Sequence, residues 1–130
     1  MIWSGWSLAR ICVFLVGVAY LMIVVQVTLF HYRQNFRNPA MWFPVIGGPL
    51  IGLCGALLAL WNNHALLGIF RVLLWVGLVA GFIGFYFHLR GVGQRVGGYG
   101  MNNLLVGPPV VLPLMFSALA LFGLFAAYWR

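Results

Sequence analysis

Two short stretches hold the side chains of this sequence best suited to binding a ligand. Phe30-His31-Tyr32-Arg33 and Phe87-His88-Leu89-Arg90 both read F-H-x-R. A neutral imidazole is an axial ligand for haem iron, and arginine answers carboxylates with paired N–H donors. In that chemistry His31 and His88 are the ligands of a b-type haem, and Arg33 and Arg90 meet its propionates. Gly84, one turn before His88, would leave room for a flat macrocycle, and Thr28, one turn before His31, would orient that ring. The same four side chains also suit a quinone or an anionic lipid headgroup. Two features weigh against iron: Val27 stands where the second stretch has Gly84, and both histidines end their apolar runs. The plainer role is structural, because histidine and arginine at a helix C-terminus complement the dipole, cap carbonyls and snorkel to headgroups.

Composition removes most other chemistry. Of 130 residues 65% are hydrophobic and 5% charged, and all seven charges are arginine, with no Lys, Asp or Glu. Without carboxylates there is no carboxylate general acid or base, no hard-metal cage and no proton path through a membrane Asp or Glu. No catalytic residue is expected, and no metal beyond a haem iron at His31 and His88. The formal charge of +7 is scattered over the ends of apolar runs, which suits lipid headgroups and not nucleic acid. Cys12 and Cys54 lie inside apolar runs and read as small hydrophobes.

The elements that must position these groups are membrane helices. Apolar runs at about 8–30, 41–61, 65–88 and 108–128 predict an all-α integral membrane protein, one domain over 1–130 with four transmembrane helices. A glycine-rich loop is expected over 90–103; it lacks the preceding strand that a dinucleotide fingerprint requires. Asn62-Asn63-His64 is a tight turn, and His64 a turn residue. The first run lacks a basic lead and a small-residue cleavage site, and is expected to be a retained helix, not a signal. Trp3, Trp6, Trp61, Tyr128 and Trp129 mark one membrane face, and Tyr32, Trp42 and Tyr99 the other. Both termini then share one side. Arg33, Arg37, Arg90 and Arg95 outnumber Arg10, Arg71 and Arg130 by one, which places loops 31–40 and 89–107 in the cytoplasm on a narrow bias.

The two halves also resemble each other. Each F-H-x-R precedes a loop and then two prolines five apart, Pro44 and Pro49 in one half, Pro108 and Pro113 in the other. Tandem helical hairpins related by a pseudo-twofold along the membrane normal would account for this. Small-residue stripes (Gly48, Gly52, Gly55 and Ala59 in helix two; Gly77, Gly81 and Gly84 in helix three) predict that these two helices pack closely on each other.

Arg71, about six residues or roughly 9 Å into helix three, has no carboxylate to pair with in the chain. Arg10, Arg37, Arg71 and Arg95 are expected to meet lipid or a partner subunit supplying acidic counter-charges. The functional expectation is a small, non-catalytic membrane subunit of a larger complex, one moving electrons through haem b or a quinone. The alternatives are a homo-oligomeric channel or transporter of dual topology, and a ligand-free assembly factor.

Overall fold

The computed structural model describes residues 1–95 and 97–129, and at residue 95 the backbone alone. The contacts expected of Arg95 lie outside the described residues, as does Arg130. The chain is all helical: α1 Leu8–Arg33, a 3-10 turn Pro39–Met41, α2 Trp42–Trp61, α3 His64–Arg95, a short α4 Met101–Val106 and α5 Val111–Tyr128. Four of these helices are long and apolar enough to cross a bilayer, which makes this a multi-pass integral membrane protein.

Local chemistry sets the ends. Ser7 caps α1, its hydroxyl accepting from the Arg10 amide at 3.4 Å. Asn38 caps the 3-10 turn, where Pro39 needs no amide partner. α2 stops at Asn62, whose left-handed backbone (φ 51°) suits asparagine. Asn63 then opens α3, its side chain accepting from the amides of Ala65 and Leu66 at 2.7 and 3.2 Å. Asn62 does more than turn. Its side chain accepts from the Ile2 and Trp3 amides and donates to the Trp3 carbonyl at 2.7 Å, tying the N-terminal segment across this end.

Helix α3 runs on to Arg95, two turns past His88, where the apolar run ends. At about 48 Å it is longer than a hydrocarbon core. The loop expected over 90–103 is correspondingly reduced, and α4 occupies part of what remains. Pro108 packs closely on Gly91 within this extension: a Cβ there would sit 3.1 Å from the proline ring.

The long helices form a ring in which each packs on two antiparallel neighbours. The tightest pairs are α1 with α2 and α3 with α5. The stripes join α2 to α3 only in part, with a Cβ at Gly55 lying 2.9 Å from Phe70 and one at Gly77 2.9 Å from Ile51, while other glycines face elsewhere. Gly52 and Gly55 face Gly17 of α1, where a Cβ would lie 2.7 Å from the Ala56 amide nitrogen. Gly81 faces α5, where a Cβ would lie 2.8 Å from the Pro113 carbonyl. Periodicity shows that a helix has a small-residue side, but α1 and α5 both compete for it, and α5 brings its own small side chain, Ser117.

Val13, Val16, Tyr20, Leu58, Phe70, Leu74 and Ala120 form the fully buried centre. Val92, Val27 and His31 are buried nearer the loops, while most of the core lies in the half of the bundle nearer the termini. Polar side chains there bond to backbone: the Tyr20 hydroxyl donates to the Phe116 carbonyl and Ser117 to the Leu78 carbonyl, both at 2.7 Å. Cys12 and Cys54 are free thiols, Cys54 buried.

Candidate functional site

The two predicted histidines converge. α1 and α3 run parallel on opposite corners of the ring, and their loop-side turns bring the imidazoles of His31 and His88 to a centroid separation of 6.3 Å, with planes 62° apart. His31 is buried, only 6% exposed. Its Nδ1 donates to the Met41 carbonyl at 2.8 Å, and Nδ1 of His88 donates to the Pro109 carbonyl, also at 2.8 Å. A carbonyl only accepts, so in the neutral rings the proton sits on Nδ1 and the lone pair on Nε2. The second acceptor has a clear origin. Pro113 has no N–H to offer the carbonyl four residues before it, and His88 supplies the missing donor.

Below the pair lies a cleft of about 700 Å³, within the range of small-molecule sites. Val27, Phe43, Trp75, Gly84, Pro113 and Phe116 contribute to its walls, and His31, His88, Arg90 and Gln94 to its polar end. Trp75, Val79 and Ile83 line it while remaining about half exposed on the outer surface of the bundle. The cleft therefore opens sideways toward lipid, over the roughly 20 Å of α3 between Trp75 and His88. It occupies the loop-side half, where the buried core is sparser.

Of the residues expected beside the histidines, the structure gathers some and not others. Arg90 reaches the cleft, whereas Arg33 is exposed and lies outside it. Thr28 does not orient His31, because its hydroxyl bonds back to the Val24 carbonyl at 2.7 Å; Met41 performs that task. Gly84 does line the cleft, but a Cβ there would also approach Pro113 at 3.3 Å, so packing on α5 is a sufficient reason for glycine. Arg37 donates to the Gln34 side chain at 3.2 Å.

Three contributors carry no mark in the sequence. Met41 offers only its carbonyl. Phe36 sets its ring edge-on to His31, centroids 6.3 Å apart and planes at 71°, and stacks on Trp42 at 4.0 Å and 15°. Pro109, like Met41, offers only its carbonyl, to His88.

At the opposite end Arg10 and Arg71 find partners within the chain. Arg10 donates to the Ala59, Gly5 and Leu60 carbonyls at 2.6, 2.8 and 3.2 Å, and lies over Trp6. Arg71 donates to the Ala127 carbonyl at 2.6 Å and lies over Tyr128, 4.1 Å from the ring centre. Each thus caps the C-terminus of a neighbouring helix, where orphan carbonyls and the dipole favour a cation. Within the chain, backbone carbonyls supply the acceptors for these two arginines.

The halves echo one another in these contacts, though not in the register of the prolines. Met41 lies three residues before Pro44, whereas Pro109 lies one residue after Pro108, a displacement of one helical turn. Comparisons with protein families, curated proteins and solved structures find no match to this chain.

Proposed function

We propose that this protein is a small membrane subunit of an electron-transfer assembly, and that His31 and His88 hold a b-type haem at the loop end of the bundle. The convergence of the two rings carries this reading. The two ring centres stand 6.3 Å apart, and His31 and His88 would together hold the iron. Both rings already donate Nδ1–H to a backbone carbonyl, the arrangement that fixes tautomer and raises ligand basicity in metal-bound histidines. No group of three or more ligating side chains gathers among the described residues. Two imidazoles alone suit an iron that brings other ligands with it better than a bare cation. Arg90 supplies a cation at the cleft for a propionate.

The test is a visible spectrum of the protein purified in mild detergent, oxidised and then dithionite-reduced, with and without added haemin. A reduced α-band of b type is expected, and its absence from haemin-saturated protein ends the haem reading. Intact-mass analysis of the gently solubilised protein tests the subunit reading, which predicts co-purifying chains. A lone homodimer would count against it. The transporter alternative has less support, because Tyr20, Thr28 and Ser117 all spend their hydroxyls on backbone carbonyls.

The sideways opening of the cleft favours a second occupant, an isoprenoid quinol with its tail along the apolar wall. A hydroxyl at its head would donate to an imidazole Nε2. Quinone in the organic extract of the purified protein, lost in His31→Ala, would distinguish this from haem.

A further inference from the structure

We infer that Phe36 is a positioning residue for His31, held by a backbone turn built to press its ring against the imidazole. This inference rests on the haem reading for its consequence, but not for its geometry.

The turn that ends α1 folds back on His31 itself. Both the Gln34 and the Phe36 amides donate to the His31 carbonyl, at 3.0 and 3.1 Å, while Asn35 donates to Tyr32. This is the hydrogen-bond pattern of a glycine-type helix terminator. Asn35 has the left-handed backbone that such a turn needs, with φ 54°, and asparagine tolerates it. Phe36 is left-handed too, with φ 46°. For a bulky side chain that is an outlier, maintained only where surrounding contacts over-determine it.

Those contacts are visible. The Phe36 ring lies flat on Trp42 and meets the His31 ring edge-on. Trp42 directly follows Met41, whose carbonyl receives the His31 proton. One short segment thus holds His31 from two sides, by a hydrogen bond at Nδ1 and by an aromatic edge. An extended backbone at Phe36 would swing its ring off the histidine. The strained conformation is therefore what delivers the ring to the site. For an axial ligand, such a wall fixes the ring plane and limits access of water to the iron.

Full-length protein in detergent, labelled with ¹⁵N-histidine, tests the geometry without any cofactor. His31→Gln assigns the resonances among the three histidines. Wild type should show His31 as a single Nδ1–H tautomer. Phe36→Ala should give averaged or doubled ring-nitrogen shifts, and Phe36→Tyr should restore the single form. In haemin-loaded protein Phe36→Ala should move the low-spin ferric g-values and weaken haem affinity several-fold, with Phe36→Tyr again close to wild type.

Unchanged His31 shifts in Phe36→Ala overturn the inference. If Phe36→Ala does not give a monodisperse protein, Trp42→Leu removes the stacking partner and is read by the same shifts, loss of the single tautomer supporting the inference and its retention overturning it. Wild type that takes up no haem overturns the haem reading alone, while the ¹⁵N shifts still judge Phe36.

Discussion

His88 donates its Nδ1 proton to the carbonyl of Pro109, 2.8 Å away across the α3–α5 contact. That carbonyl lacks its ordinary helical donor because Pro113 has no N–H. A ligand-type histidine and a helix start are thereby joined in one bond, and His31 makes the corresponding bond to Met41 at the start of α2.

The histidines should be separable by spectrum. In haemin-loaded protein, His31→Ala and His88→Ala should each convert a six-coordinate low-spin haem to a high-spin form. The double variant should lose specific binding, which haemin titration measures. A low-spin spectrum that survives both single substitutions would place the iron elsewhere.

The terminal-face arginines should differ in weight. Arg10 serves three carbonyls and Arg71 one, and the Arg71 Nε is buried without a hydrogen-bond partner. Hydrogen bonds from charged donors contribute about 1.5–3 kcal/mol each and an unsatisfied buried group takes some of that back. Arg10→Met should therefore lower the melting temperature in detergent clearly more than Arg71→Met, as scanning fluorimetry would record.

Glycine positions offer an internal control. Gly17→Ala forces a methyl against the Ala56 and Gly52 backbone, and should destabilise the protein by about 1–3 kcal/mol as overpacking does. At Gly68 a Cβ meets nothing within 4 Å, so Gly68→Ala should be neutral or gain up to about 1 kcal/mol from helix propensity. Steric-trap or SDS unfolding of both variants would show the opposite signs.

Asn62 should be hard to replace. Asn62→Ala removes the clamp on Ile2 and Trp3 and places alanine at φ 51°, at a combined cost of about 2–4 kcal/mol. Asn62→Gly keeps the turn and loses only the clamp. Hydrogen exchange at the Ile2 and Trp3 amides should accelerate in both variants, with the larger fall in melting temperature in Asn62→Ala.

The four spans, the tight turn at Asn62-Asn63 and the pairing of His31 with His88 at one depth were all legible in the sequence. Each depends on local chemistry or on chain length: a run of about 20 apolar residues must cross, asparagine tolerates a left-handed turn, and the two histidines stand similar numbers of residues past the starts of α1 and α3. The partner of each glycine stripe was not legible, because 3.6-residue periodicity defines a face without naming what packs on it. Nor could the sequence place Arg71. Its answer, the Ala127 carbonyl, is a backbone group 56 positions away, and every residue but the last few carries such a carbonyl without sign of its availability. Likewise the contact of Pro108 with Gly91 beyond His88 could not be read in advance, and Phe36 reached His31 only through a backbone conformation that phenylalanine does not favour by itself. Composition and order thus determined that there is a membrane bundle and at which end its chemistry lies. Only tertiary packing decided which side chains meet there, because helix rotation and the orphan carbonyls of helix ends are settled between elements and not within them.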